Sequence, residues 1–233
     1  KDDFEFLSKY LRLDIDIEKI KKIISKDNYV SESIKANPDL RILGQDFEET
    51  LLIFILTQHK NIKAIRKCVR DVARKYGRKI KADNMDFYLF PKAEVLNELT
   101  EVELRTTGIG FRAKYIKDAA RILTETDLNQ KIHNMKEQEA RESLTQINGV
   151  GDKVSDCVLS FALGFDNITP LDVWSKRIVT QLYKLDPKIK YEDMRKWIDD
   201  YFEGYAAWGG HYLWEYVRAN PQVLELQKIT KRK

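Results

Sequence analysis

The chain has 233 residues, 43% of them hydrophobic, with 41 Lys and Arg against 37 Asp and Glu and a formal net charge of +4. That content can bury a sizeable core, as one domain or two lobes, but the charge is too small for a global field, so any nucleic-acid footprint has to come from local clusters. Two cysteines exclude a disulfide framework and a four-thiolate iron–sulfur cluster, three dispersed histidines give no zinc spacing, and the absence of a signal peptide or bilayer-length apolar run points to a soluble, intracellular protein.

Helical periodicity dominates in chain order, over about 17–25, 46–58, 62–76, 93–100 and 113–125. Leu51 to Leu56 is apolar all round, which predicts a buried post rather than a surface helix. Arg41-Ile42-Leu43 reads as an edge-strand remnant, and little or no β structure is expected elsewhere near the N-terminus. Local basic sets are Lys60, Lys63, Arg66 and Lys67, then Arg112 and Lys114, then Lys176 and Arg177. Each is equally a solvated face, and the lysine-rich stretch 228–233 reads as a disordered end. The chain starts at Lys1, so its natural N-terminus is expected to be missing or altered.

The chemistry concentrates in Ile147-Asn148-Gly149-Val150-Gly151-Asp152-Lys153, followed by Pro170-Leu171-Asp172-Val173. Residues 138–145 and 153–163 read as two helices flanking a hairpin. Gly149 and Gly151 would permit positive φ and close approach of a ligand, so that backbone amides converge on one anion such as a DNA phosphate. The plain alternative is a turn that only ends one helix and starts the next. Lys153 projects beside the apolar stripe formed by Val154, Val158, Phe161 and Ala162, with Cys157 one turn on. There the positive end of the helix dipole and partial burial both disfavour an ammonium, which predicts a nucleophilic amine; a phosphate contact is the other reading. Asp172 is placed as the N-cap of the next helix, and a cap is compatible with catalysis because its donors keep the carboxylate ionised and in one place.

The run from Ile147 to Val158 with its Pro-Leu-Asp-Val resembles the helix-hairpin-helix, Gly/Pro-Asp (HhH-GPD) superfamily of DNA glycosylases, most closely the 8-oxoguanine glycosylase and lyase branch. Leu13 to Asp16, Arg41 to Asp46, Thr57 to Ile62 and Gly108 to Tyr115 look like counterparts in that branch, so the resemblance covers about residues 10–220. It implies a mainly α fold of two helical lobes with the hairpin motif at a DNA-binding cleft. The expected parts are an N-terminal segment, 1–44, packing on the C-terminal lobe, a central helical lobe, 45–148, and the hairpin with the C-terminal lobe, 149–233. Residues before Gln45 are too few for the large β-containing domain of fuller members.

By the same resemblance Lys153 corresponds to the Schiff-base lysine and Asp172 to the catalytic aspartate, while Cys157 lines the base pocket. Phe111 matches an intercalating aromatic, or else anchors a helix start from the core. His59 and Asn61 lie where relatives carry asparagines that contact the orphaned cytosine and its backbone, and Asn61 reads equally as an N-cap. Gly149, Val150, Gly151 and Arg112 complete the implied DNA contacts. Gly210 stands where the branch places an amide that reads the purine edge, and Trp214 keeps the stacking position, so recognition is expected to lean on stacking. Trp174 replaces a histidine that approaches a phosphate, and reads as core. The implied activity is excision of oxidised purine, 8-oxoguanine opposite cytosine, with strand cleavage through a lysine Schiff base. Another damaged base, alkylated or deaminated purine, and a non-catalytic duplex-binding module are the alternatives. No cofactor, metal or iron–sulfur cluster is implied beyond a monovalent cation at the hairpin when DNA is bound. The implied partner is damaged double-stranded DNA, met by a monomer without membrane attachment, at chromosomal DNA in cytoplasm or nucleoid.

Overall fold

A computed structural model describes residues 2–224, so the lysine-rich end at 228–233 lies outside the described residues. It is mainly helical: α1 (Asp2–Tyr10), α2 (Ile17–Ile24), α3 (Asn28–Ala36), α4 (Phe47–Leu56), α5 (Ile62–Tyr76), α6 (Ala93–Glu98), α7 (Glu101–Arg105), α8 (Ala113–Glu125), α9 (Leu128–Lys131), α10 (Glu137–Thr145), α11 (Asp152–Phe161), α12 (Val173–Gln181), α13 (Tyr191–Tyr201) and α14 (Ala206–Ala219). One antiparallel hairpin, β1 (Lys79–Ala82) with β2 (Met85–Tyr88), interrupts them. The chain forms two compact units, one of residues 45–158 and one of residues 1–44 with 159–233. None of the described helices is long and apolar enough to cross a membrane.

In the unit of residues 45–158, α4 starts at an Asp46 cap and buries Leu51, Leu52, Ile55 and Leu56. It packs against α8, on which α6 and α7 also lie. Glu48 is buried in α4 and accepts the Ala93 amide at 2.7 Å, so the start of α6 is satisfied by a carboxylate. The periodic stretch 93–100 holds one helix, α6, which stops at Glu98, and Thr100 caps the next, α7, with a reciprocal capping box to Glu103. The β-hairpin turns through Asp83 and Asn84, both at positive φ, as a two-residue hairpin loop requires. Its alternation is weak, with Ile80 and Tyr88 half-buried among exposed residues, which is why periodicity missed it.

The unit of residues 1–44 and 159–233 has its own core, centred on Trp208, Tyr212, Phe202, Ile24 and Ile42. Helices α2 and α3 pack on α14. Asp166 Oδ1 accepts from Arg12 Nη2 and Trp208 Nε1, each at 2.9 Å, and so links the first segment to the last. Asp27 caps α3 with one oxygen and accepts the hydroxyls of Tyr183 and Tyr201 with the other, and burial beside that carboxylate pushes both phenols up. The edge strand expected at Arg41-Ile42-Leu43 is absent: the segment is irregular, Ile42 is buried, and Arg41 Nη1 bonds Arg12 O at 2.9 Å.

Candidate active site

The hairpin motif is built from α10, the turn 146–151 and α11. A buried ion pair braces its two helices. Arg141 on α10 donates from Nη1 to Asp156 Oδ1 on α11 at 2.5 Å and from Nη2 to Glu137 at 3.1 Å, and Asp156 is fully buried. Burial works against the Arg141 charge, but these carboxylates outweigh it and hold the guanidinium above its ordinary value. Arg141→Met should therefore leave a buried carboxylate without its counter-ion and cost about 3–5 kcal/mol, read as a loss in chemical denaturation. No local pattern announces this pair, whose members are 15 positions apart.

The turn is pinned from two further sides. Asn148 donates its backbone N–H and its Nδ2 to Asp118 Oδ2 at 2.9 and 2.8 Å, and Gln58 Nε2 donates to Gly149 O at 2.9 Å. Burial opposes the Asp118 charge, yet the Asn148 donors and Arg121 prevail and keep that carboxyl below its ordinary range. Gly149 has φ +87, and a Cβ there would lie 2.5 Å from the Tyr115 ring. Gly151 differs from the expectation: it does not adopt positive φ, and a Cβ there would meet open space. The two glycines should thus separate on mutation. Gly149→Ala should lower Tm, whereas Gly151→Ala should leave Tm alone and weaken duplex binding, measured by anisotropy at fixed salt, because only an approaching backbone needs that space. Val150 is buried and uses its amide on Ile147 O at 3.0 Å.

Lys153 stands in the first turn of α11, half-buried, with Nζ 3.5 Å from Thr57 Oγ1 and 5.0 Å from the Phe54 ring centroid. Cys157, one turn later, is a buried free thiol. The amine therefore lies over an aromatic face, beside one hydroxyl.

Asp172 caps α12. Its Oδ1 accepts the Trp174 and Ser175 amides at 2.9 and 2.8 Å and the Ser175 hydroxyl at 3.2 Å. The other oxygen, Oδ2, accepts Trp214 Nε1 at 3.1 Å. Trp214 sits on α14 with its ring parallel to that of His211, centroids 6.3 Å apart, and with Arg218 Cζ 4.2 Å from its centroid. Burial holds His211 below the usual imidazole range. Trp174 packs against the core from its edge, and Gly210 faces Thr169, whose Oγ1 lies 2.2 Å from where a Cβ would stand.

The remaining expected contacts fall near the Gln58 turn. His59 is exposed at φ +49 and Phe111 is 43% exposed, with ring centroids 6.4 Å apart. Asn61 caps α5 by accepting the Ala64 amide at 2.9 Å. Arg112 is only 5% exposed: it donates to the carbonyls of Gln58 and Ile109, so it holds the turn instead of reaching outward, and burial lowers its affinity for the proton. Among the described residues no group of three His, Cys, Asp or Glu could hold a metal ion.

The family model for the HhH-GPD superfamily of base excision DNA repair proteins matches residues 52–203. The chain belongs to that superfamily. A second model, the N-terminal domain of 8-oxoguanine DNA glycosylase, matches residues 1–51, and the similarity of this HhH-GPD chain runs to the 8-oxoguanine branch. It is 35% identical over 197 residues to the N-glycosylase/DNA lyase of Saccharomyces cerevisiae, covering 77% of the chain and 51% of that protein. Among solved structures, MBOgg1 in complex with a low-affinity DNA ligand is similar at TM-score 0.88 and 37% identity, covering 94% of this chain and 75% of that one. The Clostridium acetobutylicum 8-oxoguanine glycosylase/lyase, in complex with duplex DNA containing cytosine opposite 8-oxoguanine, is similar at TM-score 0.86 and 33% identity over 92% and 74%. The chain spans about half the length of the curated relatives it matches.

Proposed function

We propose that this HhH-GPD chain is a bifunctional DNA glycosylase and apurinic-site lyase that excises 8-oxoguanine opposite cytosine. The observation that carries the reading is Lys153, an amine held over Phe54 in the first turn behind the hairpin. The nucleotide is extruded from the stack so that its sugar and base become reachable. Nζ of Lys153 attacks C1′ with its lone pair while the glycosidic bond breaks, and the base leaves with the bonding pair and takes up a proton. Asp172, its carboxylate fixed by its cap, stabilises the positive charge that develops at the sugar and assists the proton transfers. Opening of the sugar ring gives the imine; loss of a C2′ proton then expels the 3′ phosphate and cuts the strand.

Gly149, Val150 and Gly151 would grip the backbone, with Phe111 as the wedge and His59 and Asn61 toward the opposite base. Cys157, Gly210 and Trp214 would line the base pocket. No cofactor is needed for these steps. Backbone carbonyls of the hairpin would hold a monovalent cation once DNA is bound. The protein would act as a monomer on damaged duplex, at chromosomal DNA inside the cell.

The test is a panel of duplexes, each with one lesion, scored for base release and for strand scission. Cleavage led by 8-oxoguanine opposite cytosine supports the reading. Release led by alkylated or deaminated purine moves the specificity, and binding without release of any base reduces the chain to a duplex-binding module.

A further inference from the structure

Asp172 has a cap to satisfy, and that task engages one oxygen only: Oδ1 takes all three donors from α12, two amides and the Ser175 hydroxyl. The orientation of the carboxylate about its own axis is then set by whatever holds Oδ2. That partner is the indole N–H of Trp214 at 3.1 Å, from a helix 42 positions along the chain. The same face of α14 makes a second close approach one turn earlier. At Gly210 the missing side chain admits Thr169, whose Oγ1 and Cβ lie 2.2 and 3.0 Å from an ideal Cβ. Thr169 is three residues before Asp172 and Gly210 four residues before Trp214, so both contacts fall along one strip of the helix.

We infer that Trp214 is a positioning residue for Asp172: its N–H fixes the Oδ2 edge of the carboxylate, and glycine at 210 is required so that the segment 169–172 can seat on α14. The inference rests on the proposed role of Asp172. It assigns Gly210 a packing reason, where an amide reader would need a side chain that Thr169 leaves no room for. It also gives Trp214 a task that its ring face alone cannot perform, since stacking on a base requires no N–H. A hydrogen bond to a charged acceptor is among the stronger polar contacts, and here it acts in a partly buried place.

The contact is first tested in the free protein, with no DNA. In proton–nitrogen spectra the Trp214 indole resonance, identified by its loss in Trp214→Phe, should shift in Asp172→Ser and exchange faster with solvent. Serine retains the cap but cannot reach the indole. An unmoved resonance overturns the inference. The consequence is then tested by single-turnover excision of the lesion that the wild type removes best. Trp214 is replaced by benzothienylalanine, which keeps the fused ring and carries sulfur in place of N–H. The expected result is a fall of about ten- to a hundred-fold in rate, although the ring that stacks is retained. A benzothienyl variant that excises at the wild-type rate overturns the positioning role. A wild type that releases no base overturns the proposed function instead, and the indole resonance then decides the contact by itself.

Discussion

Lys153→Gln should abolish covalent trapping. In the wild type, borohydride added during reaction should reduce the proposed imine to a secondary amine and leave protein joined to DNA. Glutamine has no nucleophilic nitrogen, so the adduct should disappear and base release fall by about a thousand-fold or more. Duplex affinity should stay close to wild type, because the residue's neighbours are Thr57 and the Phe54 ring rather than a carboxylate network that would collapse. Denaturing gels and anisotropy on the same lesion duplex read the two quantities separately. Trapping that survives in the mutant would transfer the nucleophile to another amine. A mutant that loses affinity in step with rate would make Lys153 a phosphate contact.

Asp172→Asn should separate the cap from the chemistry. An amide can still present one oxygen to the Trp174 and Ser175 amides, so the start of α12 survives. Its nitrogen, however, would then face the Trp214 N–H, donor against donor, where Oδ2 now accepts. The expected stability loss is about 1–2 kcal/mol. Excision should fall by about a hundred-fold or more, since the charge proposed to steady the sugar is gone. Denaturation midpoints and single-turnover rates measured on one preparation make the comparison. A rate that stays normal in the folded fraction would confine Asp172 to capping.

Two of the longer helices were readable because their apolar stripes follow the helical period and their ends are punctuated. Ile62 to Tyr76 and Ala113 to Glu125 begin and end where periodicity places them. Asp172 as an N-cap was equally legible, since that residue type before an apolar-periodic segment has few other uses there. Other elements were not. Helix α1 leaves Phe4, Phe6 and Leu7 exposed, so no buried stripe announces it, and α3 spans only nine residues.

The site was legible in its residues and not in its bonds. Lys153, Asp172 and the glycines stand out by type and spacing, and the family resemblance supplied their expected roles. The tertiary partners that orient them are dispersed: Trp214 for Asp172, Asp118 and Gln58 for the turn, Asp156 for Arg141. No local period encodes such pairs. Arg112 illustrates the converse error, because a basic residue beside an exposed aromatic suggests a phosphate contact while its guanidinium is directed at two carbonyls.

The ion pair beneath the hairpin bears on how the protein responds to heat. Dehydrating two charges becomes less costly as temperature rises, while apolar burial gains little further strength. A turn braced by Arg141 and the fully buried Asp156 is therefore favoured, relative to loops held only by surface contacts, in warm solution. Thermal loosening should reach the irregular connections around α9 and the β-hairpin before it reaches residues 147–151, so the shape of the turn outlasts the order of its surroundings.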